Sequence, residues 1–322
     1  MDCTALTVVE QPVLPAELTA TLELAADFAK ASKAKTTQAA YGSDFRIFEA
    51  WCTARGLSAL PATAESLCAF LADEASAGRR ASTLGRRLAA IRYFHRAAGY
   101  ETPTGDEKVK AVLSGIRRTI GTAPVRKRAA TADIVIAMSP TATSLRALRN
   151  RAIILLGFAG AFRRSELVAL NVEDLEETPE GMLATLRRSK TDQEGVGRRV
   201  AIPRGEIACP VAALRVWLDV AGITEGAIFR RIFNKRAQRV TNRRLAPRNV
   251  AAIVKQSAAR LGFDPSTFGG HSPRAGFVTS AVKRGANLIK DHGCHRAQVA
   301  GDAQDLQPRA EAFVGHAGAG VL

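Results

Sequence analysis

Apolar residues recur at helical spacing along the first third of the chain, and this spacing restricts the fold more than any other feature. Between residues 36 and 55, Tyr41, Phe45, Phe48 and Cys52 follow one another at intervals of four, three and four. Residues at such intervals lie on one face of an α-helix. The pattern predicts a helix that buries this face and ends near Gly56.

The same kind of pattern continues to about residue 120 and predicts an N-terminal bundle of four or five helices. In the segment 81–98, Leu84, Leu88, Ile91 and Phe94 share one face. The helices predicted in this part of the chain span residues 15–32, 36–55, 63–78, 81–98 and 107–119.

The pattern after residue 131 is mixed. Residues 182–187 and 199–203 have the composition of two strands, and a polar, glycine-containing loop joins them with Lys190 near its tip;. The helices predicted here span residues 145–158, 210–221, 247–261 and 271–284. The expected fold class is therefore mainly α with a small antiparallel β-sheet.

The segment 121–128 is basic, contains a proline and has no apolar period, which is typical of an exposed domain boundary;. It is either a solvated hinge or a stretch that lies along a phosphate backbone. The predicted organisation is a flexible arm at 1–14, a helical domain at 15–120, a basic linker at 121–130 and a second domain at 131–322.

The chain of 322 residues carries a formal net charge of +16, which favours a polyanionic partner, nucleic acid first and an anionic membrane surface second;. The arginine-rich segment 230–248 is a candidate surface for binding a phosphate backbone. We predict no signal peptide and no transmembrane helix. Five irregularly spaced cysteines argue against a disulfide framework or a zinc site, so we expect a reducing, cytoplasmic setting and no metal;.

Two glycines precede a histidine and an arginine near the C-terminus, in the sequence Gly269-Gly270-His271-Ser272-Pro273-Arg274. Side chains three residues apart share one face of a helical turn, so His271 and Arg274 could grip one small anion. In a strongly basic chain the expected anion is a phosphate of nucleic acid. The alternative is a glycine-rich loop that leads into a helix, with His271 as an ordinary half-buried residue.

With these motifs the sequence resembles the tyrosine recombinases, or phage-type integrases. The first box of that family matches Ala161-Phe162-Arg163-Arg164-Ser165-Glu166-Leu167 and identifies its first arginine with Arg163. The hairpin lysine of the family falls on Lys190, and its His-x-x-Arg box falls on His271 and Arg274. The resemblance implies a SAM-like core-binding domain, a C-terminal catalytic domain, DNA integration or recombination through a 3′-phosphotyrosine, and a tetramer on double-stranded DNA.

The chemistry of such a reaction asks for these residue types. Two arginines can clamp the non-bridging oxygens of a five-coordinate phosphorus with charge-assisted hydrogen bonds. A lysine can protonate the departing 5′ oxygen, and a histidine can take a proton from the nucleophile or hold a phosphate oxygen. Because arginines carry the charge that Mg²⁺ carries in other phosphoryl-transfer enzymes, we expect no cofactor.

The nucleophilic tyrosine that the resemblance implies is absent in frame. The three tyrosines, Tyr41, Tyr93 and Tyr100, lie in the first domain, whereas the expected position is near Leu306. The segment 291–309 has no amphipathic period. It contains His292, Cys294 and His295, but their spacing matches no common zinc pattern;.

The segment 291–309 is compatible with a frame shift by one base. In the shifted frame its codons can encode Ile-Met-x-Val-Thr-Gly-His-Lys-Ser-x-x-Met-Leu-Lys-Thr-Tyr-Ser-Arg, which resembles the last box of the family. The hidden tyrosine would fall across Leu306 and Gln307, and the original frame resumes by Ala310. Our hypothesis is that one extra base near codon 290 and one missing base near codon 309 scrambled the segment.

Three functions remain open on the sequence alone. The first is a site-specific recombinase that is inactive as written, and the second is a DNA-binding protein derived from an integrase and without catalysis. The third, a basic helical protein that binds RNA or a membrane, explains the charge but not the ordered Arg163, Lys190 and His271–Arg274 motifs.

Overall fold

A computed structural model describes residues 16–124, 126–187, 197–233 and 239–283. They belong to two compact units, an N-terminal unit that ends at Pro124 and a C-terminal unit that follows it. The predicted arm at 1–14, Lys190 and the segment 291–309 lie outside the described residues. In the described part of the chain, no helix is both long and apolar enough to cross a membrane.

The described N-terminal unit is helical, as the apolar spacing predicts. The hydroxyl of Thr63 accepts the backbone N–H of Ser66 at one helix start, and the carboxylate of Asp106 accepts that of Lys108 at another;. The predicted helices are present with ends displaced by two residues at most. They are α1 (Ala16–Ala31), α2 (Lys35–Thr53), α3 (Ala64–Ser76), α4 (Ala81–Ala97) and α5 (Glu107–Ile120).

The core of this unit lies between α2, α3 and α4. The two predicted apolar faces are buried apart from Tyr41 and Phe94, which are partly exposed. Phe48 of α2 is completely buried, and its ring centroid lies 5.0 Å from that of Phe70 on α3. Burying one such side chain stabilises the fold by roughly 2–3 kcal/mol.

Buried polar groups fix the same helices to one another. The carboxylate of Asp44 on α2 accepts two hydrogen bonds from Arg86 on α4, at 2.6 and 3.0 Å. His95 is completely buried, and its Nε2 accepts the N–H of Ala62 at 2.9 Å. Its Nδ1 lies 2.8 Å from the carbonyl of Ile91 and therefore carries the proton of a neutral ring;.

The described C-terminal unit combines helices with two small antiparallel sheets. The helices are α6 (Ala132–Met138), α7 (Leu145–Ala159), α8 (Arg164–Ala169), α9 (Pro210–Ala221), α10 (Pro247–Arg260) and α11 (Ser272–Lys283). The strands of the first sheet, in spatial order, are β1 (Leu175–Glu177), β2 (Gly181–Leu186) and β3 (Arg198–Pro203). The strands β4 (Arg230–Phe233) and β5 (Arg239–Arg244) form a separate two-stranded sheet.

The core of the C-terminal unit surrounds α7, whose residues from Ala152 to Ala159 are all buried. The helices α6, α9, α10 and α11 and the strand β3 pack around it. Trp217 of α9 is completely buried and donates its indole N–H to the carbonyl of Ile228 at 2.7 Å. Helices on a small sheet confirm the predicted class, mainly α with a small antiparallel β-sheet.

Two of the strands were predicted and three were not. Residues 182–187 and 199–203 correspond to β2 and β3, which pair from Gly181–Pro203 to Leu186–Arg198. The strand β1 is short and acidic, and β4 and β5 are rich in arginine. None of the three shows the alternation of apolar and polar residues that marks a strand;. Their pairing partners and core contacts, rather than their own composition, make them strands.

The end of the predicted linker is bound to the C-terminal unit. The ammonium of Lys127 donates to the carbonyl of Ser266 at 2.5 Å. The backbone N–H of Arg128 donates to the carbonyl of Thr267 at 2.7 Å. The N–H of Ala130 donates to the carbonyl of Ser272 at 2.9 Å. The stretch from Lys127 to Ala130 is therefore held along the loop that precedes α11 and is not a free hinge.

This attachment yields a prediction about Gly276 in α11. A Cβ atom on Gly276 would overlap the carbonyl of the buried Ala130, so Gly276→Ala should cost at least about 2 kcal/mol of unfolding free energy;. Thermal and denaturant unfolding measure the loss. The control Gly115→Ala lies in α5, where an added Cβ meets no atom within 4 Å, and should be neutral or stabilise by up to about 1 kcal/mol;. Equal stability of the two variants would contradict the tight packing at Ala130.

Candidate active site

Arg163 is presented by a tight turn between α7 and α8. Ala161 in this turn has a φ of 45°, the left-handed region that residues other than glycine rarely adopt;. A side chain at Gly160 would run into the ring of Phe162, which is buried in the core. The turn therefore anchors Phe162 inside the unit and places Arg163 at the start of α8.

Glu166 orients Arg163. The Glu166 carboxylate is buried, accepts the backbone N–H of Arg163 at 2.9 Å and accepts its guanidinium at 2.6 Å. A second cation, Arg198 of β3, lies 3.9 Å from the same carboxylate. Burial alone would raise the pKa of Glu166, but the two hydrogen bonds from Arg163 and the two nearby positive charges outweigh burial and lower that pKa;.

Arg274 reaches the same turn from α11. Its guanidinium donates a hydrogen bond to the carbonyl of Ala161, two residues before Arg163. Arg274 is only partly exposed, so the guanidinium has a defined position at the rim of the core. The structure thus brings both predicted arginines to one turn, although 113 residues separate Ala161 from Arg274 in sequence.

His271 sits at the start of α11, where its carbonyl accepts the N–H of Ala275 at 3.0 Å. Its side chain is exposed, whereas the neighbouring Ser272 is buried and accepts the N–H of Gly269 at 3.0 Å. As the alternative describes, the glycine-rich loop leads into a helix, and His271 at its end is exposed. The buried serine fixes the loop and leaves the imidazole at the surface.

Close packing joins the two loops. A Cβ atom on Gly270 would lie 3.2 Å from Cδ of Arg164, so the His271 loop passes directly over the start of α8. A methyl group at residue 270 would require the Arg164 side chain to shift by a few tenths of an ångström.

Lys190 lies outside the described residues, but the strands that flank its loop are described. The last residue pair before the loop is Leu186–Arg198. Because Arg198 lies beside Glu166, the loop begins and ends near the group that orients Arg163. This placement is compatible with a role for Lys190 at the same site.

Two residues of this cluster were not predicted from sequence. Glu166 could have been found, because a carboxylate three residues after an arginine at a helix start can bind back to it. Arg198 gave no signal of its own, since its nearness to Glu166 depends on the fold of β3.

Two arginines of the segment 230–248 form hydrogen bonds with carbonyl groups of the protein. Arg244 donates to the carbonyl groups of Val168 and Leu170, at 2.6 and 3.1 Å, and thus satisfies the C-terminal end of α8;. Arg230 donates to the carbonyl of Ala227 at 2.9 Å. These two arginines bind carbonyl groups of the protein, and a phosphate-binding surface on the segment 230–248 stays a prediction.

Chemically, the described cluster has groups that could bind an anion. It presents guanidinium groups and an exposed imidazole, and its buried carboxylate is already bound to Arg163. Among the described residues, no group of three or more His, Cys, Asp or Glu residues could hold a metal ion. The cysteine and histidines at 292–295 lie outside the described residues.

The sequence matches two family models. Residues 129–294 match the phage integrase family, and residues 28–101 match the phage integrase N-terminal SAM-like domain. The chain belongs to the phage integrase family of tyrosine recombinases. Its SAM-like domain and its integrase domain correspond to the described N-terminal and C-terminal units.

Curated relatives of this integrase-family chain are recombinases. An integrase/recombinase XerD homologue of Selenomonas ruminantium is 41% identical over 265 residues, which cover 80% of this chain and 77% of the relative. The tyrosine recombinase XerD of Rhizobium meliloti is 26% identical over 279 residues, which cover 81% and 80% of the two chains.

A solved structure shares the fold. A lambda integrase fragment, crystallised as a dimer bound to a COC′ core site, covers 90% of this chain with a TM-score of 0.54. The match covers 99% of that fragment at 16% sequence identity. At this identity the likeness supports the integrase architecture and carries no residue roles.

The role of Glu166 in this integrase fold can be tested by Glu166→Gln. The change removes the charge that holds Arg163, so it should cost about 2 kcal/mol of unfolding free energy at neutral pH;. Because the pKa of Glu166 is lowered in the folded state, its contribution is present above pH 4.5 and is lost as the pH falls through the lowered value;. Denaturant unfolding between neutral and acidic pH measures both effects.

A matched control for Glu166→Gln is Glu65→Gln, which removes the partner of Lys108 in an exposed ion pair. This variant should unfold like the parent protein, because solvent screens the pair. If Glu166→Gln had the parent's stability and pH dependence, Glu166 would not hold Arg163 through its charge.

Proposed function

We propose that this phage integrase family member is a site-specific DNA recombinase in which Arg163, Lys190, His271 and Arg274 act on the scissile phosphate. One observation carries the proposal. The guanidinium of Arg274 is bonded to the carbonyl of Ala161, in the same turn that presents Arg163. Two cations from distant parts of the sequence thus converge where one phosphate could contact both.

In the proposed mechanism the arginines bind the two non-bridging oxygens of the phosphate. They stabilise the charge that builds up on these oxygens as the nucleophile attacks phosphorus. Glu166 and the Ala161 carbonyl hold the guanidinium groups before DNA arrives, so little reorganisation is needed during the reaction. His271 is exposed beside them and can accept the proton of the nucleophile or bind an oxygen;.

Lys190 is proposed as the general acid that protonates the departing 5′ oxygen. The strands β2 and β3 support this role, because the end that bears its loop lies next to Glu166 through Arg198. The nucleophile of such a reaction is a tyrosine, and this sequence contains none after Tyr100.

We further propose that the reading frame is shifted over residues 291–309 and that the chain as written binds DNA without cleaving it. The match to the integrase family ends at residue 294, inside this segment. The shifted reading offers a Gly-His pair and a tyrosine nine residues later. If the gene itself carries the shifted frame, the chain has the alternative function: it is a DNA-binding protein derived from an integrase and without catalysis.

Double-stranded DNA is the proposed partner, and assembly into a tetramer on DNA is expected from the family. The net charge of +16 supports a polyanionic partner;. Binding should therefore weaken steeply as salt rises, because each phosphate contact releases counterions.

The nucleophile hypothesis can be tested with two forms of the protein. The chain as written and a variant that carries the shifted reading in place of 291–309 are used to select binding sites from a random duplex library. The selected site is then made into a nicked suicide substrate, which traps covalent protein–DNA adducts. The shifted variant should form an adduct, and the chain as written should bind the site without forming one.

Two outcomes would contradict these proposals. A covalent adduct from the chain as written would overturn the proposed loss of the nucleophile. If neither form enriched any DNA, the proposed function itself would be wrong.

The arginine roles can be tested in the shifted variant by Arg163→Ala and Arg274→Ala. Removing one charge-assisted donor to the phosphate should lower the rate of adduct formation by about 100-fold or more. Affinity for the selected duplex should fall far less, because the other basic residues remain. Quenched-flow adduct formation and fluorescence anisotropy measure the two quantities, and circular dichroism confirms that each variant is folded.

The control substitution for these two variants is Arg215→Ala on α9, which pairs with Glu177 and lies outside the site. It should keep the parent's cleavage rate. If Arg163→Ala or Arg274→Ala cleaved as fast as Arg215→Ala, the assignment of that arginine to the phosphate would fail.

A further inference from the structure

The two-stranded ribbon formed by β4 and β5 has one face turned to protein and one turned to solvent. On the inner face, Ile232 and Val240 lie opposite each other and pack against the core of the C-terminal unit. Arg244 fixes the base of the ribbon by its hydrogen bonds to the carbonyls of Val168 and Leu170. The described residues of the ribbon are therefore packed on the C-terminal unit and hydrogen-bonded to it.

The outer face carries arginines around an exposed aromatic ring. Neighbours along a strand point to opposite faces, so Phe233 points away from the side that Ile232 packs on. Arg231 lies where the register of the two strands shifts, and it is exposed. Arg239 is the register partner of Phe233 and shares its face;. Phe233 is 71% exposed, and Arg231, Arg239 and Arg243 are all exposed.

No acidic residue occurs between 230 and 248. Among the residues that the structure describes, no carboxylate forms an ion pair with Arg231, Arg239 or Arg243. Three exposed arginines on or near the first sheet and on α9 differ in this respect. Arg199 pairs with Glu176, and both Arg204 and Arg215 pair with Glu177.

This chemistry fits DNA better than an apolar partner. Unpaired arginines bind phosphates, and an exposed phenyl ring among them can contact thymine methyl groups, sugars or base faces. A two-stranded ribbon is also narrow enough to enter the major groove of a duplex. An apolar protein partner would instead have to bury three unpaired cations, which costs free energy.

The ribbon is placed close to the site. Its base is bonded to the end of α8, and α8 begins directly after Arg163. A helix of this length spans only about 9 Å, so DNA held at Arg163 would pass near the ribbon.

We propose that the outer face of the β4–β5 ribbon is a DNA-contacting surface separate from the catalytic cluster. Arg231, Arg239 and Arg243 bind the phosphates that flank the scissile position, and Phe233 makes an apolar contact with sugars or bases. The inference rests on the proposed function for the identity of the partner, DNA, and adds where and through which residues the protein holds it.

The test compares two triple variants that lose the same charge. One carries Arg231→Ala, Arg239→Ala and Arg243→Ala, and the control carries Arg199→Ala, Arg204→Ala and Arg215→Ala. Binding of the full chain to a short duplex of arbitrary sequence is followed by fluorescence anisotropy over a range of salt concentrations. Thermal unfolding confirms that both variants are folded.

The ribbon variant should bind the duplex at least about 10-fold more weakly and lose about 0.9 units of salt slope for each phosphate contact removed. The control should keep nearly the parent's affinity and slope, because its arginines are already paired with carboxylates. Phe233→Ala should weaken binding several-fold with the salt slope unchanged, since it removes an apolar contact only, and Phe233→Leu should restore part of the affinity.

Equal losses in the two triple variants would overturn the proposal, because general charge would then explain binding. The proposal would also be overturned if the ribbon triple bound DNA like the parent and lost only its binding to phosphatidylserine vesicles, which would make the ribbon a membrane surface. If the parent chain itself failed to bind the duplex, the proposed function would be wrong. This result can be distinguished from equal losses in the two triple variants and from a loss of vesicle binding alone, because there the parent chain still binds DNA.

Discussion

The hydrogen bond from the guanidinium of Arg274 to the carbonyl of Ala161 joins α11 to the turn from Gly160 to Arg163. Ala161 has a backbone conformation that is unfavourable for alanine, and such conformations persist only where surrounding contacts hold them;. Phe162 supplies the second contact by its burial in the core. The same bond places Arg274 of α11 beside the turn that carries Arg163, so the contacts that hold this turn also bring the two arginines together.

Arginines in this basic chain fall into classes that composition does not separate. Some are structural, such as Arg244, which satisfies carbonyl groups at the end of α8. Others are neutralised by carboxylates, as Arg199 is by Glu176. Arg163 is held by the buried Glu166 and still presents a guanidinium beside the turn. A net charge therefore indicates a polyanionic partner, but the contacts of each arginine decide whether it can meet that partner.

Much of the fold could be predicted because helices are encoded locally. The face of Phe45, Phe48 and Cys52 is buried as its spacing indicates, and β2 and β3 occur where their composition places them. The strands β4 and β5 could not be predicted, because their arginine-rich sequences lack the alternation of apolar and polar residues that marks a strand. The packing of Ile232 and Val240 against the core is visible only in the structure. The linker also differs, since Lys127 and Arg128 are tied to a loop that lies more than a hundred residues away in sequence.

The sequence by itself determined the family, the helical character and the identity of Arg163, His271 and Arg274 as candidate site residues. These depend on residue type and on spacing within short segments, and both can be read directly from the sequence. Only the tertiary structure decided that Glu166 and Arg198 share the neighbourhood of Arg163, and that Arg274 bonds to Ala161. The physical reason is that a hydrogen bond or ion pair acts over a few ångströms. Whether two residues come that close depends on how helices and strands pack, not on their positions in the sequence.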